Sequence, residues 1–311
     1  MKQDYPKNGM IRLCRLFGKT RHAYYDHQWR FQDQGFKDDI VLQHVLEIRK
    51  KLPGSGTLKL HQMLKKPLES HHLSIGRDYL FDLMREHQMS IRRRKRKVVT
   101  TDSRHWMHIY DNLIKEMEIN RPEQLWVSDI TYIRMINHWG YLSLITDAYS
   151  KKIMGYCFRK DLSAKGCIDA LQMALKARLY PQQKLIHHSD RGSQYCSHDY
   201  VDLLVENRIA ISMTENGDPY ENAIAERVNG TIKTEFNLHF SAEGFAETTA
   251  KIQRAIKAYN ELRPHASCDY LTPEQAHLQT GPLKKRWKEK VYKNKLKPEC
   301  IAQAELPKLV V

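Results

Sequence analysis

The sequence predicts a mixed α/β fold, in which a mixed β-sheet with helices on its faces follows small all-helical modules. Two observations support this prediction. Residues 11–88 show only short amphipathic helical patterns, whereas from about residue 120 three strand-like segments precede alternating helices and strands. A chain of 311 residues is also longer than one hydrophobic core usually accommodates, so we expect two or three structural units.

Composition excludes several classes of protein. Hydrophobic residues make up 41% of the chain and charged residues 28%, which excludes a wholly disordered or collagen-like chain. An uncharged run over residues 135–146 falls short of the roughly 20 residues that a bilayer requires. The N-terminus lacks the apolar segment of a secretory signal, and the six cysteines show no Cys-x-x-Cys spacing. We therefore expect a reducing, cytoplasmic location, no membrane partner and no structural zinc.

Positive charge is concentrated at the two ends of the chain. The 51 lysines and arginines exceed the 36 aspartates and glutamates by 15. Residues 1–104 contain 23 basic and 11 acidic side chains, residues 105–270 contain 19 and 21, and residues 271–311 contain 9 and 4. Two basic flanks around a nearly neutral middle are typical of a protein that binds a polyphosphate such as nucleic acid. An acidic membrane surface would also attract them, and a single charge run is more often a solvated face.

The first module, residues 1–35, has a helix-turn-helix outline. A short helix is predicted over residues 11–17, a turn at Gly18 and a second short helix that opens with Thr20. Groove-reading residues tend to lie at the start of such a second helix, so Lys19 and Arg21 are candidate DNA contacts. A plain helical hairpin would give the same pattern.

Residues 36–90 predict a second module, a bundle of three amphipathic helices. Apolar residues recur at helical spacing over residues 39–52, 57–66 and 75–88, and glycines at 54 and 56 mark the first turn. This size suits a DNA-binding domain, although a dimerisation module would look similar.

A basic linker, residues 91–119, follows the bundle. It contains six adjacent cations, which cannot pack in a core. We expect them to contact the nucleic-acid backbone, with a nuclear-targeting peptide as the alternative. These residues are Arg92, Arg93, Arg94, Lys95, Arg96 and Lys97.

The predicted α/β domain, residues 120–280, begins with three strands. Residues 125–133, 140–146 and 152–158 are rich in β-branched and aromatic side chains, and their short connections indicate an antiparallel meander. The later elements are predicted as helix 163–179, strand 184–188, helix 197–207, strand 209–213, helix 218–236 and helix 245–262. This order favours a mixed sheet covered by helices. A basic tail, residues 281–311, completes the chain.

Two aspartates belong to predicted strand positions. Asp129 lies within the first strand, on the same face as Val127 and Thr131, and Asp190 follows the strand that ends at His188. Functional sites in sheets with helical covers gather at strand ends. The structural alternatives are an edge-strand aspartate that faces water and an aspartate that forms a turn.

The helix over residues 218–236 carries a third acidic candidate. Asp218 is its expected N-cap, with Pro219 at the first helical position and Glu221 completing a capping box. At 100° per residue, one face of this helix carries only polar side chains. They are Asn222, Glu226, Asn229 and Lys233. Glu226 is therefore available for a site, although an ordinary solvated face would look the same.

Three carboxylates brought together would repel one another unless a divalent cation lay between them. Oxygen ligands of this kind select Mg²⁺ or Mn²⁺. Two such ions, about 3.5–4 Å apart, would clamp the attacking and leaving oxygens of a phosphoryl transfer. Asp129, Asp190 and Glu226 are therefore candidate catalytic and metal-binding residues. The neighbouring Lys233, Asn222 and His188 are candidate DNA contacts.

Four motifs occur in a fixed order along the chain. They are Trp126-Val-Ser-Asp-Ile-Thr-Tyr132, His188-Ser-Asp-Arg-Gly-Ser-Gln-Tyr195, Glu221-Asn-Ala-Ile-Ala-Glu226 with Lys233, and Tyr259-Asn-Glu-Leu-Arg-Pro-His265 followed by Leu271-Thr-Pro-Glu274. Over roughly residues 36–278 the chain resembles the second-frame product of the insertion-sequence-three family of bacterial transposases.

This resemblance implies a ribonuclease-H-like catalytic core of the retroviral-integrase type. Asp129, Asp190 and Glu226 would form its acidic triad and hold two Mg²⁺ ions, for which Mn²⁺ can substitute. The implied reaction is cleavage of double-stranded DNA at insertion-sequence ends by activated water, followed by attack of the freed 3′-hydroxyl on another phosphodiester. Implied partners are the terminal inverted repeats, target DNA, further copies of the chain in a synaptic complex, and an upstream-frame helix-turn-helix protein or fusion.

The chain departs from the family pattern in one place and from retroviral integrases in another. Glu221 stands where the family often has aspartate, a change outside the triad. The N-terminal part contains only Cys14, so the His-His-Cys-Cys zinc domain of retroviral integrases is not expected. Asp147 ends a strand as well, but the following Ala-Tyr-Ser-Lys-Lys favours a turn, and we expect a structural role for it.

Two other functions remain as alternatives. A catalytically silent regulator would occupy the terminal repeats without cutting them, and the intact triad argues against it. A cellular ribonuclease H would act on RNA–DNA hybrids, and the basic helical modules argue against that because this activity needs no sequence-directed anchor.

Overall fold

The computed structural model describes residues 9–91, 107–115, 117–215 and 222–286. The basic run of residues 92–97 lies outside these ranges, as do Asp218, Pro219, Glu221 and most of the basic tail. No helix in the described part of the chain is long and apolar enough to cross a bilayer.

Four helices form the N-terminal region: α1 (Met10–Leu16), α2 (Arg21–Lys51), α3 (Thr57–Glu69) and α4 (Arg77–Glu86). Thr20 caps α2, since its hydroxyl accepts a hydrogen bond from Ala23 N at 3.1 Å. The expected short second helix is wrong, because α2 continues for 31 residues. The boundary proposed between the first two modules, at residues 35 and 36, therefore falls inside α2. An ion pair between Lys37 and Asp33 (2.6 Å) spans this point of the helix.

The three-helix bundle is confirmed. The C-terminal half of α2 packs against α3 and α4 through fully or almost fully buried side chains, which are Val41, Val45, Leu60, Leu64, Leu68, Leu80, Leu83 and Met84. These positions recur at the spacing of one helix face, so each helix buries its apolar stripe against the other two.

The mixed sheet is also confirmed. Its strands are β1 (Leu125–Met135), β2 (Trp139–Asp147), β3 (Ile153–Arg159), β4 (Ile186–Ser189), β5 (Ala210–Met213) and β6 (Phe240–Ser241). The order is β3-β2-β1-β4-β5, with β6 paired to β1. β1, β2 and β3 form the expected antiparallel meander, whereas β4, β5 and β6 run parallel to their neighbours.

Helices cover both faces of this sheet. On one face, α5 (Ala164–Lys176) and α6 (His198–Glu206) pack in a cluster that contains Trp126 of β1. On the other face, α7 (Ala223–Glu235) and α8 (Phe245–Leu262) pack against Ile133 and Met135 of β1. Odd-numbered residues of β1 therefore face α7 and α8, because successive side chains of a strand alternate between faces.

Two short helical elements end the core, a 3₁₀ turn (Ala266–Cys268) and α9 (Pro273–Ala276). The start of α7 differs from the prediction. Its N-cap is Asn222 rather than Asp218, so the helix begins at Ala223.

Candidate active site

Asp129 of β1 and Asp190, the residue after β4, lie close together because their strands are neighbours. β1 and β4 are parallel with Val127 opposite His188, and each aspartate follows two residues later. Adjacent strands are about 4.8 Å apart, so the pairing brings the two carboxylates to one place on the sheet, just beyond the end of β4. Asp129 also pairs with Leu144 of β2, so it belongs to a central strand and not to an edge.

The helix α7 crosses this place from the side. Asn229 Nδ2 donates a hydrogen bond to Asp129 Oδ2 at 2.7 Å. At the start of the helix, Asn222 Nδ2 donates to Ser128 O at 2.9 Å. Val228 and Ile232 of the same helix are buried in the core cluster that includes Ile133 and Met135 of β1. Asn222 and Asn229 of the predicted polar face therefore contact β1 beside these apolar side chains, whereas Glu226 on that face is exposed.

The electrostatics of Asp129 reflect this crowding of acidic groups. Burial raises its pKa to about 7, and the negative charges of Asp190 and Glu226 add to the effect, while the hydrogen bond from Asn229 opposes it. Burial also raises the pKa of Asp190, although Gly192 N donates to its Oδ1 at 3.0 Å. Both aspartates are partly buried and Glu226 is exposed.

Lys233 lies two turns beyond Glu226 on α7. Burial lowers its pKa, and the attraction of Asp129 partly opposes this change. The side chain is partly buried and stands within electrostatic reach of Asp129. Among the residues that the structure describes, no three or more His, Cys, Asp or Glu side chains form a group that could hold a metal ion.

Two of the expected DNA contacts lie inside the protein. His188 is fully buried, and its Nδ1 shares a hydrogen bond with Ser212 Oγ at 2.9 Å, so the expectation that it contacts DNA is wrong. Asn222 is only 6% exposed and holds α7 to β1, so it does not present a DNA-binding surface either. Helical spacing placed Asn222 on the polar face, and strand position placed His188 beside Asp190, but neither pattern predicts how deeply a side chain is buried.

The candidates in the first module are accessible. Lys19 and Arg21 are both exposed around the start of α2. The arginines and lysines of residues 92–97 lie outside the described ranges, so their contact with DNA stays a prediction.

The main site residue that the sequence reasoning left unassigned is Asn229. It is 4% exposed, and it is the side chain that holds Asp129 in place. The available signal was its position, one turn after Glu226 on the same polar face. Beneath the site, His187 Nε2 is 2.7 Å from Ser128 Oγ and 2.8 Å from Tyr200 Oη. Burial lowers the pKa of His187 to about 3, so this ring is neutral.

Asp147 has the turn-forming role expected of it. It is fully buried, and its Oδ1 accepts hydrogen bonds from Ser150 N at 2.8 Å and from Ser150 Oγ at 2.7 Å. Its Oδ2 accepts a bond from Glu123 N at 2.7 Å. Oδ1 therefore holds the connection between β2 and β3, while Oδ2 ties the end of β2 to the segment that precedes β1.

The chain matches known proteins over the same region. The Integrase core domain family matches residues 119–219, and a second Integrase core domain family matches residues 207–273. The Shigella sonnei protein named insertion element IS600 uncharacterized 31 kDa protein is 30% identical over 84% of this chain and 96% of its own length. Transposase InsF for insertion sequence IS3A of Escherichia coli K12 is 34% identical over 55% of this chain and 60% of its own length.

A solved structure shows a weaker likeness. The HTLV-2 integrase catalytic core domain, solved in complex with magnesium, is 19% identical with a TM-score of 0.41, over 50% of this chain and 97% of that one. The matches to the Integrase core domain families coincide with the sheet and helices that surround Asp129 and Asp190. With its helical N-terminal region and its ribonuclease-H-like core, the chain belongs to the insertion-sequence-three family of transposases, which are polynucleotidyl transferases.

Proposed function

We propose that this transposase cleaves DNA at the ends of its insertion sequence and transfers the freed 3′-hydroxyl to another phosphodiester. Asp129, Asp190 and Glu226 are the catalytic carboxylates. The observation that supports the proposal is that β1, the end of β4 and α7 place Asp129 within electrostatic reach of both Asp190 and Glu226, and burial together with these two charges raises the pKa of Asp129 to about 7. Such a concentration of negative charge is unfavourable for the fold and is typical of functional sites.

The three proposed ligands have the chemistry that a hard divalent cation prefers, and in the described part of the chain their side chains are not gathered into a metal-binding group. The ligands are carboxylate oxygens, which Mg²⁺ prefers and Mn²⁺ accepts. Asp129, Asp190 and Glu226 would hold two ions. When bound, these ions would stabilise the attacking and leaving oxygens of the phosphoryl transfer. A bound cation would also offset the charges of Asp190 and Glu226, which add to the effect of burial on the pKa of Asp129, so the site and its ligand are electrostatically complementary.

Other residues of the chain orient these carboxylates and attract the substrate. Asn229 holds the Asp129 carboxylate in one orientation through its 2.7 Å hydrogen bond. Lys233 supplies positive charge beside the acidic groups and is placed for a DNA phosphate. Lys19 and Arg21 contribute exposed cations from the helical region. The sequence of residues 92–97 adds six positive charges to the chain.

The partners of this reaction are DNA and further copies of the chain. The proposed DNA partners are the terminal inverted repeats and target DNA, held in a synaptic complex of several copies, with an upstream-frame helix-turn-helix protein or fusion as an additional component. The reaction would take place in the bacterial cytoplasm, at the nucleoid. The basic charge of +15 is consistent with such a polyanionic partner.

Nicking and joining of a labelled duplex that carries the element's ends test this proposal. With Mg²⁺, wild type should cut and join, whereas Asp190→Asn and Glu226→Gln should bind the duplex but lose both steps by about 10³-fold or more, because each loses a charged ligand. Asp202→Asn, which alters an exposed aspartate of α6, is the matched control and should act as wild type does. Cleavage by Asp190→Asn at the wild-type rate would refute the assignment, and a wild type that binds without cutting would favour a silent regulator.

A further inference from the structure

We propose that Glu235, the last residue of α7, is a positioning residue through which the docked helical bundle sets the place of the catalytic helix. This inference rests on the proposed function, because it assumes that Glu226 on the same helix is catalytic. It also assigns a role to the Tyr259–His265 motif, which the acidic site itself does not use.

Glu235 joins two parts of the molecule through buried ion pairs. Lys59 Nζ of α3 lies 2.5 Å from Glu235 Oε1. Arg263 donates to both carboxylate oxygens, from Nε to Oε2 and from Nη2 to Oε1, each at 2.8 Å. The side chains of Lys59, Glu235 and Arg263 are 23%, 15% and 7% exposed. One carboxylate is thus held by a cation of the bundle and by a cation of the core.

The main chain makes a second contact at the same point. Gly54, in the turn between α2 and α3, donates its N–H to Glu235 O at 2.7 Å. A Cβ atom at Gly54 would lie 2.4 Å from Glu235 Cα, so only glycine permits this approach. The preceding Leu52 is 1% exposed and packs in the core cluster of α7 and α8. The turn of residues 52–56 therefore contacts the C-terminal end of α7 through the Leu52 side chain and the Gly54 backbone.

Arg263 is itself fixed to the sheet by its own motif. Tyr259 Oη donates to Lys151 O at 3.0 Å, and Asn260 bonds both the N–H and the C=O of Ile153 at the start of β3, at 3.0 and 2.9 Å. Burial lowers the pKa of His265 well below its usual value, so its neutral ring accepts a hydrogen bond from Arg263 Nη1 at 2.6 Å. The guanidinium is thereby held in one orientation, and Glu235 lies at the junction of a fixed arginine and the lysine of the bundle.

The helix α7 transmits the position of Glu235 to the site. Glu226 precedes it by nine residues, about 13 Å along the axis at 1.5 Å per residue. Asn229, which holds Asp129, lies between them on the same rigid element. A shift or rotation at the C-terminal end of α7 therefore changes where Glu226 stands relative to Asp129 and Asp190. Displacements of about 1 Å at catalytic groups can cost on the order of 10²-fold in rate.

This arrangement is costly if it serves stability alone. Burying ions carries a desolvation penalty that their attraction often only offsets, so a buried ion pair is weak evidence for a stabilising role. What the ion pairs add is a fixed position for the end of α7, because two cations and one backbone N–H bind Glu235. DNA that binds the bundle would act on the contacts of Lys59 and Gly54 with Glu235. It would thereby set the position of Glu226 when substrate is bound.

The test compares Lys59→Met with Lys59→Arg in the full chain. Cleavage of the end duplex is measured over a range of DNA concentrations with Mg²⁺. Lys59→Met should slow cleavage at saturating DNA roughly tenfold while the DNA affinity stays within about twofold, since the change acts on the catalytic geometry rather than on binding. Lys59→Arg can still pair with Glu235 and should recover most of the rate. Lys65→Met, which removes an exposed lysine of the same helix, should leave the rate unchanged.

Two further variants separate positioning from loss of the bundle. Gly54→Ala wedges the same contact without changing a charge and should also slow cleavage at saturating DNA. Leu80→Ala weakens the bundle core away from Glu235 and should lower the unfolding temperature without lowering that rate. Wild-type rates in Lys59→Met and Gly54→Ala, or equal slowing in Lys59→Arg or Leu80→Ala, would overturn the inference. Glu226→Gln is run beside them: if it cuts DNA normally, the proposed function fails instead.

Discussion

Replacing Asp129 with asparagine should stabilise the metal-free protein while it abolishes DNA cleavage. In the folded chain the pKa of Asp129 is raised from 3.8 to about 7, so folding favours the protonated carboxyl. The unfolded chain releases that proton more readily, and the free energy of unfolding therefore falls as pH rises from about 4 to 7. Asparagine has nearly the same shape as the protonated carboxyl and carries no charge to bury.

The size of the gain follows from the shift in pKa. A change of about 3 units corresponds to roughly 4 kcal/mol at 1.36 kcal/mol per unit, which is an upper limit at pH 8. Because Asp129 is partly reached by solvent, we expect about half of this, or about 2 kcal/mol. A chain of 311 residues should then unfold roughly 3 °C higher. At pH 5 the folded chain already holds Asp129 protonated, so the gain should shrink to less than half of its value at pH 8.

Thermal unfolding in EDTA at pH 8 and at pH 5 measures both effects. Asp202→Asn, at an exposed position of α6, is the matched control and should change neither midpoint. The reasoning is refuted if Asp129→Asn is no more stable than wild type at pH 8, or if its gain is the same at both pH values. In that case burial and the neighbouring charges do not raise the pKa of Asp129 in the folded chain.

Two further predictions concern Asn229 and Gly155. Asn229→Ala removes a 2.7 Å hydrogen bond to an ionised group, worth about 1.5–3 kcal/mol, so cleavage should slow roughly 10- to 150-fold. The variant should also shift the pH profile of cleavage to higher pH, because Asp129 is harder to ionise without this hydrogen bond. Asn207→Ala, at an exposed asparagine, is the control. An unchanged pH profile in Asn229→Ala would contradict this role. Gly155→Ala would put a Cβ 2.0 Å from Ala170 O of α5 and should lower the free energy of urea unfolding by about 1–3 kcal/mol. Gly166→Ala would put a Cβ 3.1 Å from the flexible Arg159 side chain and 3.5 Å from Ser143 Oγ, so it should have little effect, and equal losses in both variants would contradict the argument.

Local patterns predicted most elements of the α/β core. The helix expected over residues 245–262 is α8 with the same bounds, β1 and β2 each extend the expected segment by two residues, and β3 is shifted from it by one residue. These elements have strong periodicity, and each buries one clear face. The long helix α2 was missed because apolar residues recur at clear helical spacing only from residue 39 onward, whereas in the structure the helix is continuous from Arg21 and includes an ion pair between Lys37 and Asp33. The two-residue strand β6 was missed because it exists only through pairing with β1.

The candidate site was predictable in part. Strand positions and helix spacing identified Asp129, Asp190 and Glu226 as candidates, and the parallel register of β1 and β4 accounts for the nearness of the two aspartates. The proposed contacts of His188 and Asn222 with DNA were wrong, because depth below the surface depends on every element that packs above a residue. Asn229 was recognised as part of the polar face, but its hydrogen bond to Asp129 required the packing of α7 on β1.

The sequence by itself determined the order and type of the elements, the basic flanks, the family and the three acidic candidates, because these depend on local spacing and on residue chemistry. Only the tertiary structure decided which polar side chains are buried, that the pKa of Asp129 is raised, and that Glu235 joins Lys59 of the bundle to Arg263 of the core. Lys59 and Glu235 are separated by 176 residues. Their contact depends on how the helical bundle packs against the α/β core, and no local pattern along the chain encodes that arrangement.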